Sequence, residues 1–204
     1  MTEVAERQLP VLDEIGRAAL FTEAHTANAF APTPVTDAEL AGIWELAKWP
    51  PTAVNSQPLR VLYVQGAQAR ARLVEHLAEG NQAKTLTAPA VAVLAYDHDF
   101  HEHIPTIYPP KVELKDVFAA DAAARAETAK AGAMLQAGYF LLSIRAHGLA
   151  AGPMGGFDAA GVDAEFFPEG RWHSIMVVNI GHPGEDAYRD RLPRLAATEV
   201  VRWV

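Results

Sequence analysis

Between Asp121 and His147 the chain runs without a proline, and Gly148 follows as a stop. A helix over that span is roughly 40 Å long at about 1.5 Å per residue, so the rest of the molecule must be built around it. Its first half is polar and rich in alanine. Its second half, Met134 to Ile144, is apolar nearly all round, which places it at the centre of the molecule. Gly132 and Gly138 would let another backbone approach closely.

Around this rod the sequence alternates irregularly. Val11, Ile15, Ala18 and Ala19 have helical spacing within residues 11–24. Thr36 and Glu39 form a capping-box pair at the start of a second helix, which Pro50-Pro51 stops. Arg60 to Gln65 reads as a strand, Ala67 to Ala78 as a helix ended by a Glu79-Gly80-Asn81 turn, and Ala90 to Tyr96 as a second strand. Residues 97–119 read as a long irregular connection and a candidate lid. After the long helix come a glycine-rich turn at Gly152 to Gly156, a short helix near Ala160–Phe166, a buried strand from Ser174 to Ile180, and a basic tail. Such a mixture suits an α+β fold better than a regular βαβ array.

Half of the 204 residues are apolar, enough for a core, and the net charge of −8 makes a nucleic-acid phosphate backbone an unfavourable partner. The chain has no cysteine, which excludes thiolate nucleophiles, disulfides and cysteine-held metal clusters. Met1 to Pro10 is polar and does not read as a signal peptide, and no apolar run approaches membrane-spanning length. The expectation is a soluble, cytoplasmic protein without a membrane or nucleic-acid partner. No GxSxG elbow, P-loop or GxGxxG following a strand is present. A cofactor phosphate would therefore be held by basic side chains and hydroxyls.

Five constellations carry possible chemistry. Pro51 to Pro58 (PTAVNSQP) brackets amide side chains that suit the edge of a heterocycle, or an ordinary polar loop. Asn81 and Lys84 share a face if their segment is helical, where the lysine would stabilise negative charge on a reduced ring, or simply meet solvent. Gly152-Pro153-Met154-Gly155-Gly156-Phe157-Asp158 lets backbone amides approach a flat ligand, or makes a tight turn, with Asp158 as a candidate helix cap. Arg191-Leu192-Pro193-Arg194 presents arginines on a stiffened tail, as a phosphate clamp or as a basic surface. Asp97 to His103 gathers histidines and carboxylates and is the best case for metal, either as a metal-binding hydrolase or as a solvated loop.

In their order along the chain these segments resemble the nitroreductase superfamily, and within it the malonic-semialdehyde reductase-like branch. The likeness runs from about Leu20 to the C-terminus. It is carried by AHTANAF at 24–30, PTAVNSQP at 51–58, GNQAK at 80–84, GPMGGFD at 152–158, VVNIG at 177–181 and RLPRL at 191–195. The resemblance implies one domain over 1–204: a mainly antiparallel sheet flanked by helices, in an intertwined homodimer with FMN at the interface. An N-terminal helix and arm (1–34) and a C-terminal arm (182–204) would serve the dimer and the flavin site.

Carried over by position, His25, Thr26 and Asn28 would meet the FMN phosphate and ribityl chain, together with Arg191 and Arg194. Asn55 and Gln57 would line the flavin pocket, of their own chain or of the partner subunit. Asn81 and Lys84 would face the pyrimidine edge of the ring, and Pro153, Met154, Gly155 and Gly156 would form the loop whose backbone approaches flavin N5. No side chain would act as a nucleophile. The implied reaction takes reducing equivalents from NADH or NADPH and passes them, in a ping-pong scheme, to a small electron-poor acceptor: an aldehyde acid, a quinone or a nitro compound. The chain departs from the family at His25, where an arginine is usual, and at Ala53, where serine is usual. Each loss would weaken cofactor binding by about 0.5–3 kcal/mol, which also admits a flavin-binding protein with little turnover.

Overall fold

The computed structural model describes residues 9–204; the part of the expected N-terminal arm that precedes Leu9 lies outside them. Four strands form one antiparallel sheet in the order β1-β2-β4-β3: β1 (Leu59–Tyr63), β2 (Ala90–Asp97), β3 (Ala150–Met154) and β4 (Trp172–Gly181). The inner strand β2 is buried on both sides because nearly all its residues are small or apolar. Ala90, Ala92 and Leu94 face one way, Val91, Val93 and Ala95 the other, and each set seeds its own core cluster. Each fully buried Val or Leu contributes about 1.5–3 kcal/mol through water exclusion.

One face is covered by α2 (Asp37–Ala47) and the long α7 (Ala122–Ala146). The other is covered by α3 (Ala67–Glu75) and α8 (Ala159–Phe166). α4 (Glu79–Thr87) lies next to α3, and the short α1 (Glu14–Arg17) continues into a π-helical turn over Ala18–Thr22. The expected capping box is formed: Thr36 Oγ1 accepts from the Glu39 amide at 3.2 Å and Glu39 Oε2 accepts from the Thr36 amide at 2.8 Å. On α7, the buried Gln136 accepts from the Leu59 amide at 2.9 Å and so fixes where β1 begins. Among the described residues no helix is long and apolar enough to cross a membrane.

Four expectations change. The Glu79-Gly80-Asn81 segment is the first turn of α4, not a turn between elements. α3 stops at Glu75, because Leu77 leaves the helix to bridge Phe157. Gly152 to Met154 is not a turn but the end of β3. A proline is tolerated there because β3 is an edge strand. Residues 97–119 are not irregular: they hold 3₁₀ turns at Phe100–His103 and Pro109–Lys111, with α5 (Ile104–Ile107) and α6 (Leu114–Ala120) between and after them. Asp158 stands at the N-cap of α8 but its side chain makes no capping bond.

The second half of α7 is central on one face only. Ala133, Gln136, Ala137, Phe140 and Ile144 are buried, whereas Met134, Leu135 and Tyr139 are exposed by 39–47%. Gly132 does admit another segment, since a Cβ there would lie 2.9 Å from Pro58 Cγ. Gly138 faces open space. The tail ends in α9 (Ala197–Val200) and extended residues to Val204.

Candidate functional site

The arm following the π-helical turn docks along the outer edge of β3. The Ala27 amide donates to Ala151 O at 2.9 Å, the Asn28 amide to Ala187 O at 2.8 Å and the Ala31 amide to His182 O at 2.9 Å. Glycine at 152 is what permits this approach, because a Cβ there would sit 2.6 Å from Ala27 O. The docked arm turns His25, Thr26 and Asn28 into the wall of an open cavity of about 560 Å³. Arg189, Arg191 and Arg194 of the tail form the facing wall, and Arg145 enters from α7.

Five residues singled out in the sequence thus meet at one cavity: His25, Thr26, Asn28, Arg191 and Arg194. Arg191 also ties tail to arm, with Nη2 donating to Thr22 O at 2.6 Å and Ala24 O at 3.2 Å. Arg194 donates to Leu192 O at 2.9 Å and to Pro193 O. Arg145 and Arg189 were not foreseen. Arg145 had a signal in the sequence, as the one charged residue in the apolar half of the long helix from Met134 to Ala146. Four guanidinium groups, a hydroxyl and an amide make a donor set suited to a phosphate-bearing ligand, and outnumber the one acidic side chain of the lining, Asp190.

A second group forms around the end of β3. Asn81 Nδ2 donates to Gly156 O at 3.0 Å, and the Ala78 amide shares that carbonyl. Gly155 and Gly156 are exposed, Pro153 is half-buried and Met154 is buried against Thr85. Lys84 is part of this group. Burial first, and the charge of Arg189 second, hold its ammonium below the ordinary lysine range.

Asn55 and Gln57 lie elsewhere. Their loop has left-handed backbone at Val54 (φ 50°), Asn55 (φ 54°) and Gln57 (φ 43°). Such conformations cost on the order of 1–3 kcal/mol each and collect at functional sites. Thr52 Oγ1 accepts from the Gln57 amide at 3.1 Å, and Asn55 Nδ2 donates to Ile107 O at 2.7 Å, holding α5 to the loop. The loop crosses α7 at Gly132, whereas the cavity touches α7 at Leu142 and Arg145. Ten to thirteen residues of helix separate these points, roughly 15–20 Å. Within one chain Asn55 and Gln57 therefore do not join the cavity.

The histidine-rich segment is organised by arginines. Asp97, with a side chain 1% exposed, accepts from Arg171 Nε at 2.8 Å and Arg60 Nη2 at 2.6 Å. Burial pushes its carboxyl up, but the Arg171 hydrogen bond and the Arg60 charge outweigh this and hold it below the usual carboxylate range. Arg125 donates to His98 O at 3.0 Å, with the His98 ring 2.9 Å away. Burial and then the Arg125 charge push His98 and His101 down. Among the described residues no three His, Asp or Glu side chains are grouped to hold a metal ion. In place of either a metal-ligand cluster or a solvated loop, residues 97–103 form an ion-pair network that pins the base of the 98–120 excursion to the sheet.

Comparison with known proteins places the chain among nitroreductase-family relatives by overall likeness, and the family match stops short of the tail. The model of the nitroreductase family matches residues 22–182. A Streptomyces coelicolor protein with the provisional name NADH dehydrogenase/NAD(P)H nitroreductase is 55% identical over 195 residues, 96% of each chain. A Leptothrix cholodnii protein of the same provisional name is 48% identical over 184 residues, 90% of this chain and 93% of its own. Among solved structures, a provisionally named nitroreductase in complex with FMN from Exiguobacterium sibiricum superposes with a TM-score of 0.81 at 22% identity, covering 97% of this chain and all of that one.

Proposed function

Because the chain belongs to the nitroreductase family, we propose that it is an FMN-dependent NAD(P)H oxidoreductase whose flavin phosphate is held in the arginine-lined cavity. The observation that carries this reading is the meeting of arm (His25, Thr26, Asn28) and tail (Arg191, Arg194) around one cavity of about 560 Å³, a volume suited to a cofactor. Bound FMN would supply the electron-transfer chemistry, accepting reducing equivalents from NADH or NADPH and releasing them to a second substrate. The chain's own task is to bind and orient. Asn81 and the Gly155-Gly156 backbone present donors and acceptors to the ring edge, and Lys84 brings positive charge to the side where a reduced ring is negative.

The site is completed by a second copy. The loop that carries Asn55 and Gln57 crosses α7 roughly 15–20 Å from the cavity of its own chain. The outer face of α7 (Met134, Leu135, Tyr139) and the apolar residues Ile15, Phe21, Leu192 and Trp203 are exposed in one chain, more apolar surface than a monomer usually shows. Pairing of two chains along α7 covers that face and brings the partner's 51–58 loop toward the cavity. Light scattering on the purified protein should give twice the chain mass.

The acceptor is a small electron-poor molecule, with a 3-oxo acid aldehyde such as malonic semialdehyde, a quinone and a nitroaromatic compound as the classes to try. The test is NADH and NADPH oxidation by FMN-loaded protein with one acceptor of each class. Acceptor-dependent turnover with parallel double-reciprocal lines is expected. Flavin uptake without turnover on any of the three would leave a flavin-holding protein and overturn the oxidoreductase reading.

A further inference from the structure

We infer that Arg145 is the principal phosphate anchor of the cavity, the cation on which discrimination between FMN and uncharged riboflavin rests; this builds on the flavin reading above. Arg145 is set on a 25-residue helix packed into the core, whereas the other three cavity arginines stand on the tail. A cation on a rigid element is already oriented and loses less freedom on binding.

Its neighbours leave it available. Among the described residues it makes no ion pair, and its one hydrogen bond is a long contact of 3.5 Å to His25 O. Arg191 and Arg194, by contrast, each already donate to two backbone carbonyls. Arg145 is also partly withdrawn from water. Burial, and more weakly the charge of Arg191, push its guanidinium below the ordinary value. A half-buried, unpaired cation is costly until an anion reaches it, and a phosphate monoester in this cavity supplies one with geometry suited to two N–H donors. His25, across the mouth, has a short ring and lies 5.5 Å from the Tyr188 ring, centroid to centroid.

The test compares FMN and riboflavin binding, by flavin fluorescence, in the wild-type full chain and in Arg145→Met and Arg145→Lys. The wild type should prefer FMN. Arg145→Met should lose FMN affinity at least tenfold while riboflavin affinity stays within twofold, and Arg145→Lys should fall between. The inference is overturned if Arg145→Met keeps FMN affinity within twofold, or if both ligands weaken together, which would mark a residue that only shapes the cavity. Thermal unfolding of the same proteins in inorganic phosphate separates this inference from the functional reading. If the wild type takes up neither flavin but phosphate raises its Tm and not that of Arg145→Met, the flavin reading falls and the anchor stands. If phosphate raises neither Tm and no flavin binds, both fall.

Discussion

Substituting Gly152 by alanine tests whether the docking of the arm, rather than its sequence alone, creates the cavity. The added Cβ would stand 2.6 Å from Ala27 O, where ordinary contact begins at 3.4 Å, so the arm must retreat by about 0.8 Å (3.4 minus 2.6). The neighbouring bond from the Ala27 amide to Ala151 O, now 2.9 Å, belongs to the residue that must move. Overpacking of this kind costs about 1–3 kcal/mol. For a domain of this size each kcal/mol lowers Tm by roughly 2–4 °C, giving a fall of roughly 2–12 °C. Because Thr26 and Asn28 move with Ala27, FMN affinity should drop roughly tenfold, as for loss of about 1.4 kcal/mol. Differential scanning fluorimetry and a flavin titration measure the two effects. Gly80→Ala, whose Cβ meets nothing within 4 Å, gives the comparison for Tm and should leave it equal or higher. If Gly152→Ala changes neither Tm nor flavin affinity, the arm does not depend on this contact and the reasoning fails.

Three further outcomes are expected. Asp97→Asn removes the carboxylate that Arg60 pairs with and leaves Arg171 with Glu102 alone; it should cost about 2–3 kcal/mol, below the roughly 3–5 kcal/mol of a fully buried broken pair because both guanidinium groups are partly exposed and Arg171 keeps one ion pair. Since the Asp97 carboxyl is held below its unfolded value of about 3.9, its contribution is fully present above that pH and is lost as pH falls through the folded pKa. Urea unfolding of wild type should therefore weaken below about pH 4, and the variant should lack that part of the decline. Asn55→Gly keeps the left-handed backbone but removes the bond to Ile107 O. Hydrogen exchange across residues 104–111 should quicken, and flavin content should fall because the proposed site takes Asn55 from the second copy; unchanged exchange would show that this bond does not hold α5 to the loop. Lys84→Met should shift the potential of the bound flavin negative by on the order of 30 mV, the two-electron equivalent of about 1.4 kcal/mol, and an unchanged potential would remove Lys84 from the ring edge.

What was readable in the sequence follows from how local each determinant is. The Thr36–Glu39 box and the apolar run of β2 are set within a few residues, and both form as read, β2 with one residue more, Asp97. The end of β3 was misread because glycine and proline signal turns locally, whereas their tolerance in an edge strand depends on strand order. The end of α3 depends on a pairing between Leu77 and Phe157, eighty residues apart. α5 and the 3₁₀ turns around it are three or four residues long, too short for helical periodicity to register. The motif residues of arm and tail were legible by resemblance, and the fold brings them to one cavity. Arg145 belongs to no motif; its sequence signal, a lone charge in an apolar helix half, gains a meaning once α7 is placed beside the arm.

The most direct test of the account is the visible absorption spectrum of the purified protein, before and after saturation with FMN, with the released chromophore identified after denaturation. The account predicts a yellow protein, or one that becomes so on addition of FMN, holding one FMN per chain and releasing FMN rather than riboflavin. A protein that is colourless as purified and still excludes FMN at saturating concentration would contradict it.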